Sequence, residues 1–189
     1  MDGKTDEAYA VLAQKGDRNA FGTLVDRYQA KLHRYGKGFL STQEDVEDIV
    51  QDVFVSVYKN IKGFDLSQRF SPWIYRIAHN AFVDGLKKKT RSHFVYMDFD
   101  TLLYHHDVVD ESLKDGYEQK ETSAMIDKGL DQLSPKYREV LILYYLEELS
   151  YKEIADVLRI PMGTVGARVK RAKEDLKDVY KKMNHEHGA

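Results

Sequence analysis

LSYKEIADVLRIPMGTVGARVKRAK spans Leu149 to Lys173, and its reading decides the fold. At 100° per residue, Ile154, Ala155 and Leu158 share one apolar face, so the first half reads as a short amphipathic helix. Ser150 followed by Glu153 is a capping box that opens it. A turn is expected at Arg159 to Met162 around Pro161. In the helix beyond it, Val165, Val169, Ala172 and Leu176 form a narrow buried stripe. Gly163, Ala167, Lys170 and Glu174 point the opposite way, with Gly166 and Arg171 on the flanks. This is a helix-turn-helix plan, in which the second helix buries one stripe and offers the other face to a major groove. Lys170 and Arg171 are long enough to reach base edges or phosphates. Arg168 lies nearer the core margin, where it braces or touches phosphate. The plainer alternative is a helical hairpin with a solvated basic face.

The remainder of the 189 residues is also helical in pattern. Asp6 to Gln14 is a short helix ended by Gly16. Asp17 caps a second helix carrying Ala20, Phe21, Leu24, Val25 and Tyr28 at helical spacing. Ser41-Thr-Gln-Glu44 predicts a capping box for a third helix that runs to about Asn60. After a loop from Asp65 to Arg69, Ser71-Pro72 predicts the start of a fourth, with serine as cap and proline at the first helical position. Four more helices follow between about Lys120 and Met183, Ser134-Pro135 opening the second of them. The fold class is therefore all-α: a helical domain over 1–91, a linker over 92–119, and a helix-turn-helix domain over 120–189.

Charge supports that division. The chain carries a net −2, unevenly spread. Residues 1–90 hold 14 Lys/Arg against 12 Asp/Glu, residues 91–133 hold 4 against 10, and residues 134–189 hold 11 against 9. Two weakly basic blocks thus flank an acidic connector without clear helical periodicity, which is expected to act as a flexible tether. Its acids are expected to lie against Lys87 to Arg91 and the basic face near Lys170, and so to weaken binding to naked DNA. No cysteine is present, which excludes disulfides, thiolate metal sites and a cysteine nucleophile. No apolar run approaches a membrane span, and MDGKTDEAY is no signal peptide, so a cytoplasmic location is expected. His105, His106 and Asp107, like His185 and His187, lack a third ligand at metal-binding spacing, and no cofactor is implied.

Two helices of the first block carry unusual surfaces. On the third, Val46, Ile49, Val50, Val53 and Val57 form the buried stripe. Glu44, Asp45, Asp48, Asp52 and Lys59 line the opposite face beside an exposed Val55. Acids there complement the helix dipole, and they also suit docking on a basic partner. On the fourth, Ile74, Ile77, Ala78 and Ala81 look inward. Trp73, Arg76, Asn80 and Lys87 fall along one side and lead to Lys88, Lys89 and Arg91. Aromatic and basic residues interleaved in this way suit melted DNA, although Trp73 alone reads better as core.

Together these stretches carry a resemblance. Ser-Tyr-x-Glu-Ile-Ala-x-x-Leu-x-Ile-Pro-x-Gly-Thr-Val-x-x-Arg-x-x-Arg-Ala, from Ser150 to Ala172, resembles region four of the extracytoplasmic-function (ECF) sigma factors of the sigma-70 family. That region contacts the minus-35 promoter element, which implies a DNA face of Thr164, Gly166, Ala167, Arg168, Lys170 and Arg171. Gly166 and Ala167 stand where a basic residue and a serine are common. Glu47-Asp-Ile-Val-Gln-Asp-Val-Phe54 resembles the part that binds the β′ clamp helices of RNA polymerase, implying contacts by Glu44, Asp45, Glu47, Asp48, Gln51, Asp52 and Val55. Phe70 to Arg91 resembles the minus-10 recognition and melting region. By that likeness Phe64, Phe70, Trp73, Arg76, Asn80, Lys87, Lys88 and Arg91 face the melted strand, and Asn80 with the loop from Phe64 to Phe70 is expected to help hold a flipped non-template base. Gly85 sits where the family has a larger residue.

The resemblance implies a non-enzymatic alternative sigma factor with core RNA polymerase (β′ clamp helices and β flap), promoter DNA and an anti-sigma factor as partners, and no direct membrane insertion. It also implies that the acidic connector threads the RNA exit path of the polymerase. The competing class is a free-standing helix-turn-helix regulator with an N-terminal sensor domain. It predicts a ligand pocket or dimer interface within residues 1–90.

Overall fold

A computed structural model describes residues 3–90 and 119–186. The connector, with the masking expected of it, the metal-ligand candidates His105, His106, Asp107 and His187, and Arg91 lie outside the described residues.

The described residues are helical and form two groups. In the first, α1 (Asp6–Gln14) is capped by Thr5, whose hydroxyl accepts from the Ala8 amide, and Gly16 follows it at φ +93°. Asp17 caps α2 (Arg18–Gly36), accepting from the Asn19 and Ala20 amides as expected. The cap of α3 (Gln43–Asn60) falls one residue later than the sequence pattern predicts. Thr42 accepts from the Asp45 amide, so the Ser41–Glu44 box does not form. Threonine and aspartate at that spacing make an equally good cap, and local pattern does not choose between the two registers.

The fourth helix also starts early. α4 (Phe70–Thr90) begins before Ser71, because the Phe70 amide donates to Glu7 Oε1 of α1 at 3.0 Å. A partner 63 residues away replaces the serine cap. Between α3 and α4, a 3-10 turn (Ile61–Gly63) is stapled by Gln14 Nε2, which donates to the Ile61 and Phe64 carbonyls at 2.8 Å.

Aromatic rings fill this domain. Tyr28, Tyr35, Phe39, Phe70, Tyr75 and Phe82 are all fully buried, and edge-on contacts link Tyr35 to Tyr75 and to Phe82. Two glycines let the helices pack closely, Gly36 against a ring and Gly85 against Ile49. A Cβ on Gly36 would lie 2.4 Å from the Phe82 ring and 2.8 Å from Val46. One on Gly85 would lie 2.3 Å from Ile49 Cδ1. Glycine inside α4 costs about 1 kcal/mol of helix propensity; here it makes room for the neighbouring α3.

In the second group, α5 (Gln119–Asp131) leads to α6 (Pro135–Leu141), which continues as a π turn (Ile142–Leu146). Proline opens α6 as expected, but the Ser134 hydroxyl makes no capping hydrogen bond. α7 (Tyr151–Leu158) has the full capping box, with the Ser150 amide donating to Glu153 Oε2 at 2.7 Å. The turn into α8 (Met162–Glu186) passes through Arg159 in the left-handed region at φ +55°, a conformation that costs a side-chain-bearing residue about 1–2 kcal/mol. Val165, Val169 and Ala172 are buried as expected, as are Ile154 and Leu158 with Val157 beside them.

The two groups pack together, α4 lying along α7. The seam is unusually polar. His79, Arg138, Glu139 and Glu147 are its buried charged or titratable residues, Arg138 only 2% and Glu139 only 3% exposed.

Candidate nucleic-acid interface

The outer face of α8 emerges as the sequence predicts. Ala167, Lys170 and Arg171 are exposed, and Thr164 and Gly166 are half-buried beside them. Thr164, Ala167, Lys170 and Arg171, with Tyr137, Arg168 and Glu174, rim a shallow hollow. Gly166 stands in ordinary contact range of the Tyr151 ring, so nothing steric demands glycine there. Arg168 is different. Its guanidinium donates to Glu139 Oε1 at 3.2 Å, which gives it the bracing role expected from its place at the core margin.

Glu139 joins this face to the other domain. Its second oxygen lies 3.6 Å from His79 Nδ1, which is hydrogen-bonded to the Tyr35 hydroxyl at 2.9 Å. Burial, together with the charges of Arg159, Arg168 and Lys87, lowers the His79 pKa to about 4. The ring is therefore neutral near pH 7, and its approach to Glu139 is not an ion pair.

On α4, Arg76, Lys87 and Lys88 are exposed and Asn80 is half-buried. Trp73 is intermediate between the two readings of it: partly buried, tilted against Phe64 at 4.9 Å and Phe70 at 5.6 Å between ring centroids. Phe64 and Phe70, expected on the strand-facing surface, are instead core residues, 4% and 0% exposed. They set the position of Trp73 from beneath, because an apolar ring in a loop next to a helix start gains more from burial than from water. Phe64, Arg69, Trp73 and Arg76 wall a cleft whose far side is α7, with Glu153, Asp156 and Val157. Arg69 belongs to the loop from Phe64 to Phe70 expected to help hold a flipped base, although it was not named singly, and Asp156 carried no expectation; a cation just before a helix start was the available signal for Arg69.

On α3, Glu44, Asp48, Gln51 and Asp52 are exposed, and Val55 is 50% exposed, as predicted. Asp45 is engaged by Lys89 and by the Thr42 hydroxyl, and hydrogen bonding from Lys89 above all holds its carboxyl below the usual range. Glu47 accepts from Gln43 at 2.8 Å and faces a crevice between the domains. Tyr58, one turn beyond Val55, was missed. It is 53% exposed and meets Phe21 edge-on, extending the apolar end of the stripe. An aromatic ring on an otherwise polar helix face was the signal.

Two family models match this chain. Residues 24–92 match Sigma-70 region 2, and residues 123–176 match Sigma-70, region 4. The ECF RNA polymerase sigma factor SigW of Bacillus subtilis is 37% identical over 171 residues, covering 87% of this chain and 90% of that protein. The ECF RNA polymerase sigma-E factor of Escherichia coli K12 is 31% identical over 178 residues, covering 91% and 92%. Among solved structures, CnrH in complex with the cytosolic domain of CnrY aligns with a TM-score of 0.63 at 25% identity, covering 95% of this chain and 99% of that one. No helix among the described residues is long and apolar enough to cross a membrane. The order of the two regions, the helix-turn-helix and the extent of the likeness place this chain in the ECF RNA polymerase sigma factors of the sigma-70 family.

Proposed function

We propose that this sigma factor docks on core RNA polymerase through the outer face of α3, reads and opens the minus-10 element with the cleft side of α4, and reads the minus-35 element with the outer face of α8. One observation carries the docking assignment: Glu44, Asp48, Gln51, Asp52, Val55 and Tyr58 form a continuous exposed strip, acidic along its length and apolar at its end. Such a strip suits a basic, partly apolar partner, here the β′ clamp helices. A hollow lined by Leu141, Tyr145, Leu176 and Tyr180, with Lys173, Lys177 and Lys181 around it, suits the apolar tip of the β flap. The chain performs no catalysis of its own, acts in the cytoplasm, and is held silent by an anti-sigma factor, as the solved complexes of its relatives suggest.

Within this reading Trp73, Arg76 and Asn80 meet the melted strand, while Lys87 and Lys88 approach its phosphates. Ala167 offers a methyl group suited to thymine, and Lys170 and Arg171 supply hydrogen bonds to base edges or phosphates. The test is pull-down of core polymerase by the Asp48→Lys/Asp52→Lys double variant. Juxtaposed like charges are expected to weaken binding by several kcal/mol while helicity is unchanged. Retention of core polymerase equal to the parent chain would remove the docking assignment.

A further inference from the structure

The minus-10 cleft of the first domain is closed by the second. Arg69 Nη1 donates to both carboxylate oxygens of Glu153 and to the Glu148 carbonyl, each at 3.2 Å. Glu148 is itself held in the left-handed region at φ +53°, one of two non-glycine residues so placed among the described residues. Glu153 keeps its capping role in the same geometry. Although burial raises its pKa, the Ser150 and Arg69 bonds bring it below the usual range. Asp156, one turn-face away on α7, lines the same cleft opposite Arg76 and Trp73.

The rest of the seam has the same polarity. Lys31 of α2 pairs with Glu147 at 3.1 Å, and Arg34 with Asp127 at 2.9 Å. In each of these contacts the first domain contributes the cation and the second the acid, the sense in which the first domain meets nucleic-acid phosphate. Arg138 reverses the direction once, donating to the Arg34 carbonyl at 3.3 Å. The cations of these cross-domain pairs remain partly in solvent, so each pair adds little net stability, and the seam can separate when a competitor offers the same pairings.

We infer that in the chain by itself α7 is a built-in competitor for the minus-10 cleft: Glu153 and Asp156 stand where the phosphates of the melted strand bind, and the ion pairs from α2 to the second domain hold them there. This rests on the assignment of that cleft to the minus-10 strand. It adds a mask that requires no other protein and no acid of the connector. Release comes from whatever separates the domains, and the affinity of the intact chain for single-stranded DNA falls short of the open form's by the fraction of time the seam is open.

The chain has one tryptophan, and Trp73 lines this cleft. Its quenching by acrylamide therefore reads the cleft directly. The variant is Lys31→Glu/Arg34→Glu in the full chain, placed on α2 outside the cleft, where it sets like charges against Glu147 and Asp127. Quenching is expected to rise about twofold, and affinity for a fluorescein-labelled pool of short random-sequence single strands roughly tenfold. The reversal adds negative charge, so plain electrostatics predicts weaker DNA binding and a gain isolates unmasking. Adding Glu147→Lys and Asp127→Arg restores the pairs with exchanged sign and is expected to return both readings towards the parent values. Unchanged quenching in a variant of parental helicity overturns the inference. So does increased quenching without increased DNA binding. Failure of the minus-10 assignment shows separately, as promoter melting by the polymerase complex that is indifferent to Arg76→Ala and Asn80→Ala.

Discussion

The acids of α3 and the acids along the domain seam are carboxylates in opposite circumstances. Asp48 and Asp52 stand in solvent on the outside of a helix whose other face is packed valine. Glu139 and Glu147 are buried, and each is met by a cation or a polar ring from another element. A solvated carboxylate keeps its charge at little cost and is available to an outside partner. A buried one must be matched inside the chain, or it destabilises what holds it. Exposure thus separates a docking surface from a latch where composition cannot.

The largest expected effect comes from removing the cation that meets the buried Glu139 from within the second domain. Arg168→Ala strips Glu139 of its 3.2 Å guanidinium contact, and loss of one partner of a buried pair is expected to lower stability by about 3–5 kcal/mol. Urea unfolding measures it. A loss below about 1 kcal/mol would place Arg168 with the solvated cations Lys170 and Arg171, and the contrast between the two acid classes would fail on this side.

Acid should act on the same seam. The His79 pKa lies at about 4 in the folded chain against an ordinary 6.5, so the unfolded chain binds the proton first. The neutral ring's contribution is fully present above 6.5, is lost progressively as pH falls, and is exhausted near 4, a change on the order of 3 kcal/mol. Glu147 works in the opposite sense: burial raises its pKa, so the folded chain takes up that proton more readily. The His79 contribution is isolated by His79→Gln, which is expected to flatten the dependence of urea midpoints on pH between 6.5 and 4. An unflattened profile would assign the acid sensitivity elsewhere.

A smaller effect belongs to the helix-turn-helix itself. Arg159→Gly relieves the left-handed strain at φ +55°, but adds backbone freedom to the unfolded chain. The net gain is expected to be about 0.5–1 kcal/mol, read as a raised unfolding midpoint. The smallest effect is the counterpart on α3. Asp52→Ala removes an exposed carboxylate and is expected to change stability by less than about 0.5 kcal/mol, as surface substitutions do. A larger loss would show that the strip holds the fold together rather than a partner.

The helices were legible because their signals are local. Asp17, the Ser150–Glu153 box and Pro135 mark starts through bonds or dihedrals spanning a few residues, and the valine stripe of α3 repeats within each turn. Where local signals were degenerate or overridden, the reading slipped. Thr42 displaced Ser41 as a cap, and Glu7 reached across from α1 to start α4 at Phe70. The π turn at Ile142–Leu146 has no pattern of its own and was not anticipated. Of the candidate faces, the outer side of α8 and the strip on α3 followed from helical phase alone. Phe64 and Phe70 did not, because a ring beside a cleft can line it or support it, and only the packing of α1, α2 and α4 makes these two support.

By itself, then, the sequence determined the approximate extents of the helices among the described residues, most of their buried stripes, the helix-turn-helix and the family, since each depends on spacing within a turn or on a contiguous motif. Only the tertiary structure decided which charges meet. Lys31 and Glu147 are 116 residues apart and Arg69 and Glu153 are 84 apart. No periodicity links such pairs. Their approach is a consequence of how two apolar cores and the surfaces between them come together, and charge alone would have allowed Lys31 or Arg69 many other acidic partners in this chain.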